Sequence, residues 1–209
     1  MRDYLKNNVI ILILLNSASV FNYFFQIVIG RSLSPIDYGT FNSLLSMAGL
    51  IASPASIIHI VFSRFIAKLS LTGLGQTKSL ILKCFKGMVV TSGCLFFIGL
   101  LFISSIKNYL HIELTLPIVF MLIVAILSFP YPILFGSLEG LHRFTLFGLD
   151  AGSYAITRFL GAVVLVALLG AGVNGALMAL IIASGVATVY GFWALRDVLK
   201  VAPEDLPKS

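Results

Sequence analysis

Six long apolar runs constrain the fold of this sequence more than any other feature. A helix needs about 20 apolar residues to cross a hydrocarbon core of about 30 Å, and each run reaches that length. The composition agrees, because 11% of the residues are charged, whereas about a quarter are charged in soluble domains. We predict an all-α integral membrane protein, a single six-helix lobe over residues 1–209. The predicted transmembrane spans are 8–29, 38–62, 87–106, 116–137, 149–169 and 175–195.

The 14 Lys and Arg residues divide unevenly between the two sides that these spans define. Arg31 and Lys107 lie on one side, Arg158 lies inside a span, and the other eleven lie on the opposite side. Connections in the cytoplasm carry the excess of basic residues. We therefore predict a protein of the inner (cytoplasmic) membrane with both termini, including the tail 196–209, in the cytoplasm. The net charge of +6 sits in short connections, which does not favour a nucleic-acid partner.

Two local features refine this topology. The longest connection, residues 63–83, mixes apolar and basic residues, which predicts a partly helical segment lying on the lipid headgroups. Pro54 falls inside the second span and is expected to kink that helix, because proline cannot donate to the backbone ladder.

Polar faces run along the first two spans. In the first span, five residues recur at spacings of three and four and so share one face of a helix: Asn16, Ser19, Tyr23, Gln26 and Gly30. Asn22 lies at the edge of this face. In the second span, the corresponding residues are Asn42, Ser46, Gly49, Ser53 and Ser56, with His59 near the cytoplasmic end. Small residues also line packed helix interfaces, and that interpretation stays open for the second span. The bulky amides of the first span favour a water-filled cavity.

The fifth span carries an acid and a base among apolar residues, Asp150 and Arg158, with Tyr154 between them. Arg158 lies about 12 Å deeper than Asp150 along the helix, on a neighbouring part of the same face. Two interpretations remain open: Arg158 reaches lipid phosphates or the carbonyls of a neighbouring helix, or it faces a substrate. Glu139 and Arg143, four residues apart at a helix end, are predicted to form an ion pair.

No motif indicates a metal, a cofactor or a nucleotide. His59 and His142 have no second ligand at a suitable spacing, and the Walker motif is missing from the sequence. Cys84 and Cys94 are predicted to be buried thiols without a disulfide. A membrane glycosyltransferase would need acidic residues clustered at one membrane face. The acidic residues are scattered over both sides, so no enzymatic activity is predicted.

Three stretches follow one another along the chain: RSLSPIDYGTFNSLLSMAGL, ILFGSLEGLHRFTLFG and LLGAGVNGALMAL. Together they resemble polysaccharide flippases of the MOP (multidrug/oligosaccharidyl-lipid/polysaccharide) exporter superfamily. The first is similar to the signature that joins the first two helices of those proteins, although Ser34 stands where the signature usually has glycine. The other two are similar to the fourth-to-fifth and fifth-to-sixth connections. The resemblance covers nearly the whole chain.

The resemblance implies one lobe of a MATE-like two-lobe transporter with a cationic central cavity. It implies flipping of undecaprenyl-pyrophosphate-linked oligosaccharide by alternating access, as in Wzx-type flippases of O-antigen, lipopolysaccharide and capsule biosynthesis. The expected partners are this lipid-linked oligosaccharide, membrane lipids, and a missing second lobe or a second copy of the chain. Two alternatives stay open: a non-transporting membrane partner of a polysaccharide synthesis complex, and a lobe of a multidrug or cation antiporter.

The residues and the resemblance agree on an anionic substrate. The first two spans contain no carboxylate within the membrane, whereas the multidrug antiporters of the superfamily use membrane carboxylates. Arginine grips phosphate bidentately, and amides suit sugar hydroxyls. Arg64 is predicted at the cytoplasmic mouth of the cavity and Arg31 at the external mouth. The other predicted substrate contacts are Asn16, Asn22, Gln26, Asn42 and His59. The residues predicted either to form a structural network or to contact the substrate are Asp150, Tyr154 and Arg158.

Overall fold

The structure is a computed structural model that describes residues 2–71, 73–112 and 114–202. Every regular element in these ranges is helical. The helices are α1 (Arg2–Ser32), α2 (Pro35–Leu69), α3 (Leu74–Leu101), α4 (Ile103–Leu110), α5 (Leu116–Leu127), α6 (Tyr131–Gly140), α7 (Phe144–Ala162), α8 (Gly172–Ala194) and α9 (Arg196–Lys200). A π-helical segment, Val163–Leu168, continues α7. The part of the predicted tail beyond residue 202 lies outside the described residues.

Successive long helices run in opposite directions, so the bundle has two ends. At one end Lys78 donates to the Val201 carbonyl and Arg143 donates to the Ala194 carbonyl. We call this the basic end; it contains residues 70–71, 73, 141–143 and 195–202. At the opposite end, residues 33–34, 111–112 and 169–171 connect the helices. Ile36, His111 and Gly170 line one cavity there, which shows that these connections lie together.

Five helical stretches of the described residues are long and apolar enough to cross a membrane. They are α2, α3, the pair α5–α6, α7 with its π-helical segment, and α8. These stretches correspond to five of the six predicted spans. The first predicted span falls within α1, a helix of 31 residues. Its membrane crossing remains a prediction from the sequence.

Residues 63–83 do not form a separate surface segment, contrary to the prediction. α2 continues to Leu69 and α3 begins at Leu74, so the connection is short. Residues 63–69 include no glycine or proline that would end the helix. α2 has 35 residues and is about 52 Å long at 1.5 Å per residue, which exceeds a hydrocarbon core of about 30 Å. The helix also runs without interruption through Pro54.

The fourth predicted span is broken, which the sequence analysis missed. α5 ends at Leu127 and α6 begins at Tyr131. Pro130 and Pro132 explain the break, because neither has a backbone N–H to bond the carbonyl oxygen four residues earlier. The third predicted span is also interrupted, at Phe102 between α3 and α4, and nothing in the structure explains that interruption.

Small residues let α8 pack closely against its neighbours. A Cβ added to Gly161 would lie 2.9 Å from the Ala179 Cβ, and one added to Gly191 would lie 3.1 Å from the Leu134 Cβ. α8 therefore contacts α7 on one side and the α5–α6 pair on another. Close approach through small residues is the usual basis of helix association in membranes.

Four helices lie side by side in the order α1, α7, α6, α2. α1 packs mainly along α7, α2 packs mainly along α6, and α6 contacts α7. At the opposite end α1 and α2 share a core, where the Phe25 and Phe41 ring centroids are 6.2 Å apart. Toward the basic end α1 packs on α7, whereas α2 packs on α6. We call this side of the bundle the four-helix face.

The contact between α6 and α2 depends on Gly136 and Gly140, four residues apart. A Cβ at Gly140 would collide with the Ser63 carbonyl oxygen and lie 2.8 Å from the Ile66 Cβ, whereas one at Gly87 would meet nothing within 4 Å. We expect Gly140→Ala to lose about 1–3 kcal/mol of stability through overpacking. Gly87→Ala should be neutral or stabilising, because alanine favours a helix. Thermal melts of the purified variants in detergent measure both effects; equal melting temperatures would contradict this account of the α6–α2 contact.

Candidate functional site

A connected group of polar and aromatic side chains crosses the four-helix face, and we call it the seam. Ring contacts and polar contacts link its members from one helix to the next. The seam consists of Asn22 on α1, Asp150, Tyr154 and Arg158 on α7, Tyr131, Phe135 and Glu139 on α6, and His59 on α2.

Arg158 is a cation without an acidic partner among the residues that the structure describes. Its Cζ lies 3.8 Å from the centroid of the Phe25 ring, and its Nη1 makes a long contact of 3.5 Å with the Asn22 Oδ1. The Nε is buried and has no hydrogen-bond partner. A guanidinium withdrawn from water is costly unless its donors are satisfied. The geometry therefore leaves donor capacity for an anion.

Asp150 is fully buried, with 0% of its surface exposed. The Tyr131 hydroxyl donates to its Oδ2 at 3.0 Å, while its Oδ1 is buried and has no hydrogen-bond partner. Tyr131 is the first residue after the break between α5 and α6. The prediction that Asp150 holds Arg158 in a structural network is wrong in this respect, because the carboxylate is bonded to α6 instead.

Aromatic rings connect the acid to the rest of the seam. The Tyr131 ring stacks on Tyr154, with centroids 6.5 Å apart, and on Phe135, with centroids 5.3 Å apart. Phe135 also stacks on Phe147 at 4.0 Å. Tyr154 lies between Asp150 and Arg158 on α7, as in the sequence, and its ring stacks on Tyr131 of α6.

His59 and Glu139 form the part of the seam on α2 and α6. The His59 Nε2 lies 3.2 Å from the Glu139 Oε2, and the His59 ring lies 5.3 Å from the Phe135 ring. The predicted Glu139–Arg143 pair is wrong. α6 ends at Gly140, so the spacing of four residues no longer has helical geometry, and Arg143 instead donates to the Ala194 carbonyl at 2.9 Å.

The remaining predicted substrate contacts lie outside the seam. Arg31 and Arg64 are exposed, at the end of α1 and near the basic end of α2. Asn16 and Gln26 are exposed on α1. The Asn42 amide donates to a carbonyl of its own helix at 2.9 Å, and the side chain of Ser56 lies outside the described residues. The structure therefore brings Asn22 and His59 to the seam and leaves the other five apart from it.

Sequence reasoning missed Tyr131 and Phe135. The signal was present as FPYPILFG, since a tyrosine between two prolines inside an apolar run marks an interrupted membrane helix. Interrupted helices place binding groups near the middle of many transporters. The donors and acceptors of the seam suit a polar organic ligand. The described residues contain no group of three His, Cys, Asp or Glu side chains that could hold a metal ion.

Comparisons of the chain with protein-family models, with curated proteins and with solved structures found no match.

Proposed function

We propose that this chain is one lobe of a transporter that flips a lipid-linked oligosaccharide across the inner membrane for surface polysaccharide biosynthesis. The observation that carries the proposal is Arg158, a partly buried cation on the four-helix face with no acidic partner among the described residues. A diphosphate linking lipid to sugar supplies the anion that this guanidinium lacks. Arginine binds phosphate oxygens through two parallel hydrogen bonds.

The surroundings of Arg158 support a sugar diphosphate over a simple ion. Asn22 contacts the guanidinium, and Asn16 and Gln26 extend the polar surface of α1 on either side. Amide groups offer both donors and acceptors to sugar hydroxyls. Tyr154, half-buried on the same helix as Arg158, adds an aromatic ring with a hydroxyl group. Arg64 and Arg31, near the two ends of the four-helix face, are proposed to attract the diphosphate at the two mouths.

The proposed topology has six spans, with α1 as the first and the basic end in the cytoplasm. Reporter fusions after Ser34, Asn108 and Gly172 should therefore report an external location. Fusions after Leu71 and Ser209 should report a cytoplasmic one. The physical reason is the excess of Lys and Arg in the connections of the basic end. A cytoplasmic signal after Ser34 would show that α1 does not cross the membrane.

A single lobe needs a facing surface to enclose its substrate, so we propose that the chain works with a second six-helix lobe or with a second copy of itself. Tyr23, Gln26 and Ser46 leave α1 and α2 with exposed polar groups. Polar groups that face lipid are costly. A partner lobe, enclosing a water-filled cavity, would remove that cost.

A cation antiporter lobe is the second candidate function, and Asp150 is the observation that favours it. A fully buried carboxylate with one unpartnered oxygen is costly when charged, so it suits a group that exchanges a proton or a metal cation. The two candidates differ in what Asp150→Asn does. An antiporter lobe loses cation exchange, whereas a flippase lobe that uses Arg158 for its substrate still binds the lipid diphosphate.

The experiment that tests the proposed function is complementation of a bacterial cell that lacks its own polysaccharide flippase. The chain is expressed alone and with a candidate second lobe, and surface polysaccharide is measured together with the amount of protein in the membrane. Restored surface polysaccharide supports the proposal. Abundant protein without restoration in either arrangement favours a non-transporting partner of a polysaccharide synthesis complex.

A further inference from the structure

One exposed face of α8 forms a shallow apolar groove that belongs neither to the seam nor to the four-helix face. The groove has a volume of about 540 Å³ and is lined by Ile182, Gly185, Val186, Val189, Tyr190 and Trp193. Tyr190 lines the groove with its ring, because its hydroxyl is buried. A Cβ added to Gly185 would meet nothing within 4 Å, so this glycine forms an open notch in the wall of the groove.

The length and position of the groove match one leaflet of a bilayer. Ile182 and Trp193 are eleven positions apart on α8, about 16 Å at 1.5 Å per residue. Half of a hydrocarbon core is about 15 Å thick. The groove occupies the half of α8 nearest the basic end, because α8 runs from Gly172 at the opposite end to Ala194.

A cationic group stands at the basic end of the groove. The Arg196 Cζ lies 5.0 Å from the centroid of the Trp193 ring, and 58% of the Arg196 side-chain surface is exposed. Asp197 approaches the Arg196 Nε at 3.8 Å, and Lys200 follows in the same short helix. The two cations and one carboxylate leave a net positive charge where the headgroups of that leaflet would lie. A tryptophan with an adjacent arginine is typical of the interface between lipid and water.

We infer that this groove binds one acyl chain of an anionic phospholipid in the leaflet at the basic end, with the headgroup phosphate on Arg196. The apolar lining suits the acyl chain, the notch at Gly185 admits it, and the guanidinium binds phosphate through charge-assisted hydrogen bonds. The cytoplasmic leaflet is the one rich in anionic lipid, and the proposed topology places the basic end there. The inference does not depend on which substrate the chain transports.

The test titrates the delipidated full chain in detergent with phosphatidylglycerol or phosphatidylcholine and counts bound lipid by native mass spectrometry. Arg196→Gln should weaken phosphatidylglycerol binding about fivefold, the effect of one basic side chain near an anionic lipid surface. The same change should weaken phosphatidylcholine binding less, because the choline cation of that lipid offsets the charge of its phosphate. Gly185→Leu fills the notch and should weaken the binding of both lipids.

The control variants are Gly87→Leu, at an exposed glycine of α3 with equally open space around it, and Lys200→Gln. Both should bind phosphatidylglycerol more tightly than Gly185→Leu does. Arg196→Gln changes an exposed side chain, so it tests the site even if Gly185→Leu fails to fold. Equal binding by wild type and Arg196→Gln would overturn the inference, and so would equal losses in Gly185→Leu and Gly87→Leu. Preferential displacement of phosphatidylglycerol by undecaprenyl phosphate would assign the groove to the carrier lipid, and a change of oligomeric state in Gly185→Leu would assign it to a second copy.

Discussion

Arg158→Ala is expected to abolish or sharply reduce transport while the amount of folded protein in the membrane stays close to that of wild type. The guanidinium has no acidic partner among the described residues, so its removal leaves no buried carboxylate unpaired. A charge-assisted bidentate contact with phosphate is worth about 1.5–3 kcal/mol. Its loss should weaken substrate binding about 10- to 100-fold. Arg158→Lys keeps the charge without the planar fork and should retain partial transport.

The measurement is the complementation assay, with membrane abundance determined in parallel. Lys86→Ala, which removes an exposed cation of α3, is the charge-matched control and should transport normally. The assignment of Arg158 to the substrate is wrong if Arg158→Ala loses transport only in proportion to its abundance. If Arg64→Ala is inactive while Arg158→Ala transports normally, the substrate contact lies at the cytoplasmic mouth, as the sequence alone suggests.

Tyr131→Phe is expected to destabilise the protein, because it removes the hydrogen bond that the buried Asp150 carboxylate accepts at 3.0 Å. Leaving a buried polar group without its partner costs about 1–3 kcal/mol. Replacing both partners removes that penalty, so the double variant Tyr131→Phe/Asp150→Leu should recover much of the lost stability. Arg158 should not take part in this coupling.

Thermal melts and membrane abundance of the two single variants and the double variant measure the coupling between Tyr131 and Asp150. Tyr23→Phe is the matched control, because 66% of Tyr23 is exposed. Its melting temperature should equal that of wild type. Melting of Tyr131→Phe at the wild-type temperature would show that the hydrogen bond does not stabilise the fold. A double variant that loses the sum of the two single losses would show that the residues do not interact.

The helical membrane fold could be predicted from the sequence because membrane crossing depends on local length and hydrophobicity. Five of the six predicted runs correspond to helical stretches with the required length and composition. The break between α5 and α6 depends on Pro130 and Pro132, whose effect is not visible in the length and hydrophobicity of the run. Basic residues at 64 and 68 favour a surface segment in a reading of the sequence alone, but α2 continues through them because it is longer than the hydrocarbon core is thick.

The candidate site could be predicted only in part, since periodicity shows which residues share a face but not which helix lies opposite. Asp150 and Arg158 share a face of α7, yet each finds its partner on another helix, in Tyr131 and Asn22. The separation of Glu139 from Arg143 has a local cause, because α6 ends at Gly140 and His142 has a positive φ of 58° in the turn that follows. Tertiary packing therefore decides the contacts of every charged residue in the seam.

Binding of undecaprenyl diphosphate to the purified full chain tests the central claim most directly, because it requires neither a second lobe nor a complete transport cycle. The proposal predicts saturable binding to wild type that Arg158→Ala weakens at least about 10-fold, in line with the loss of one charge-assisted bidentate contact. Lys86→Ala should bind as wild type does. Equal binding by wild type and Arg158→Ala would contradict the claim that this cation holds the diphosphate.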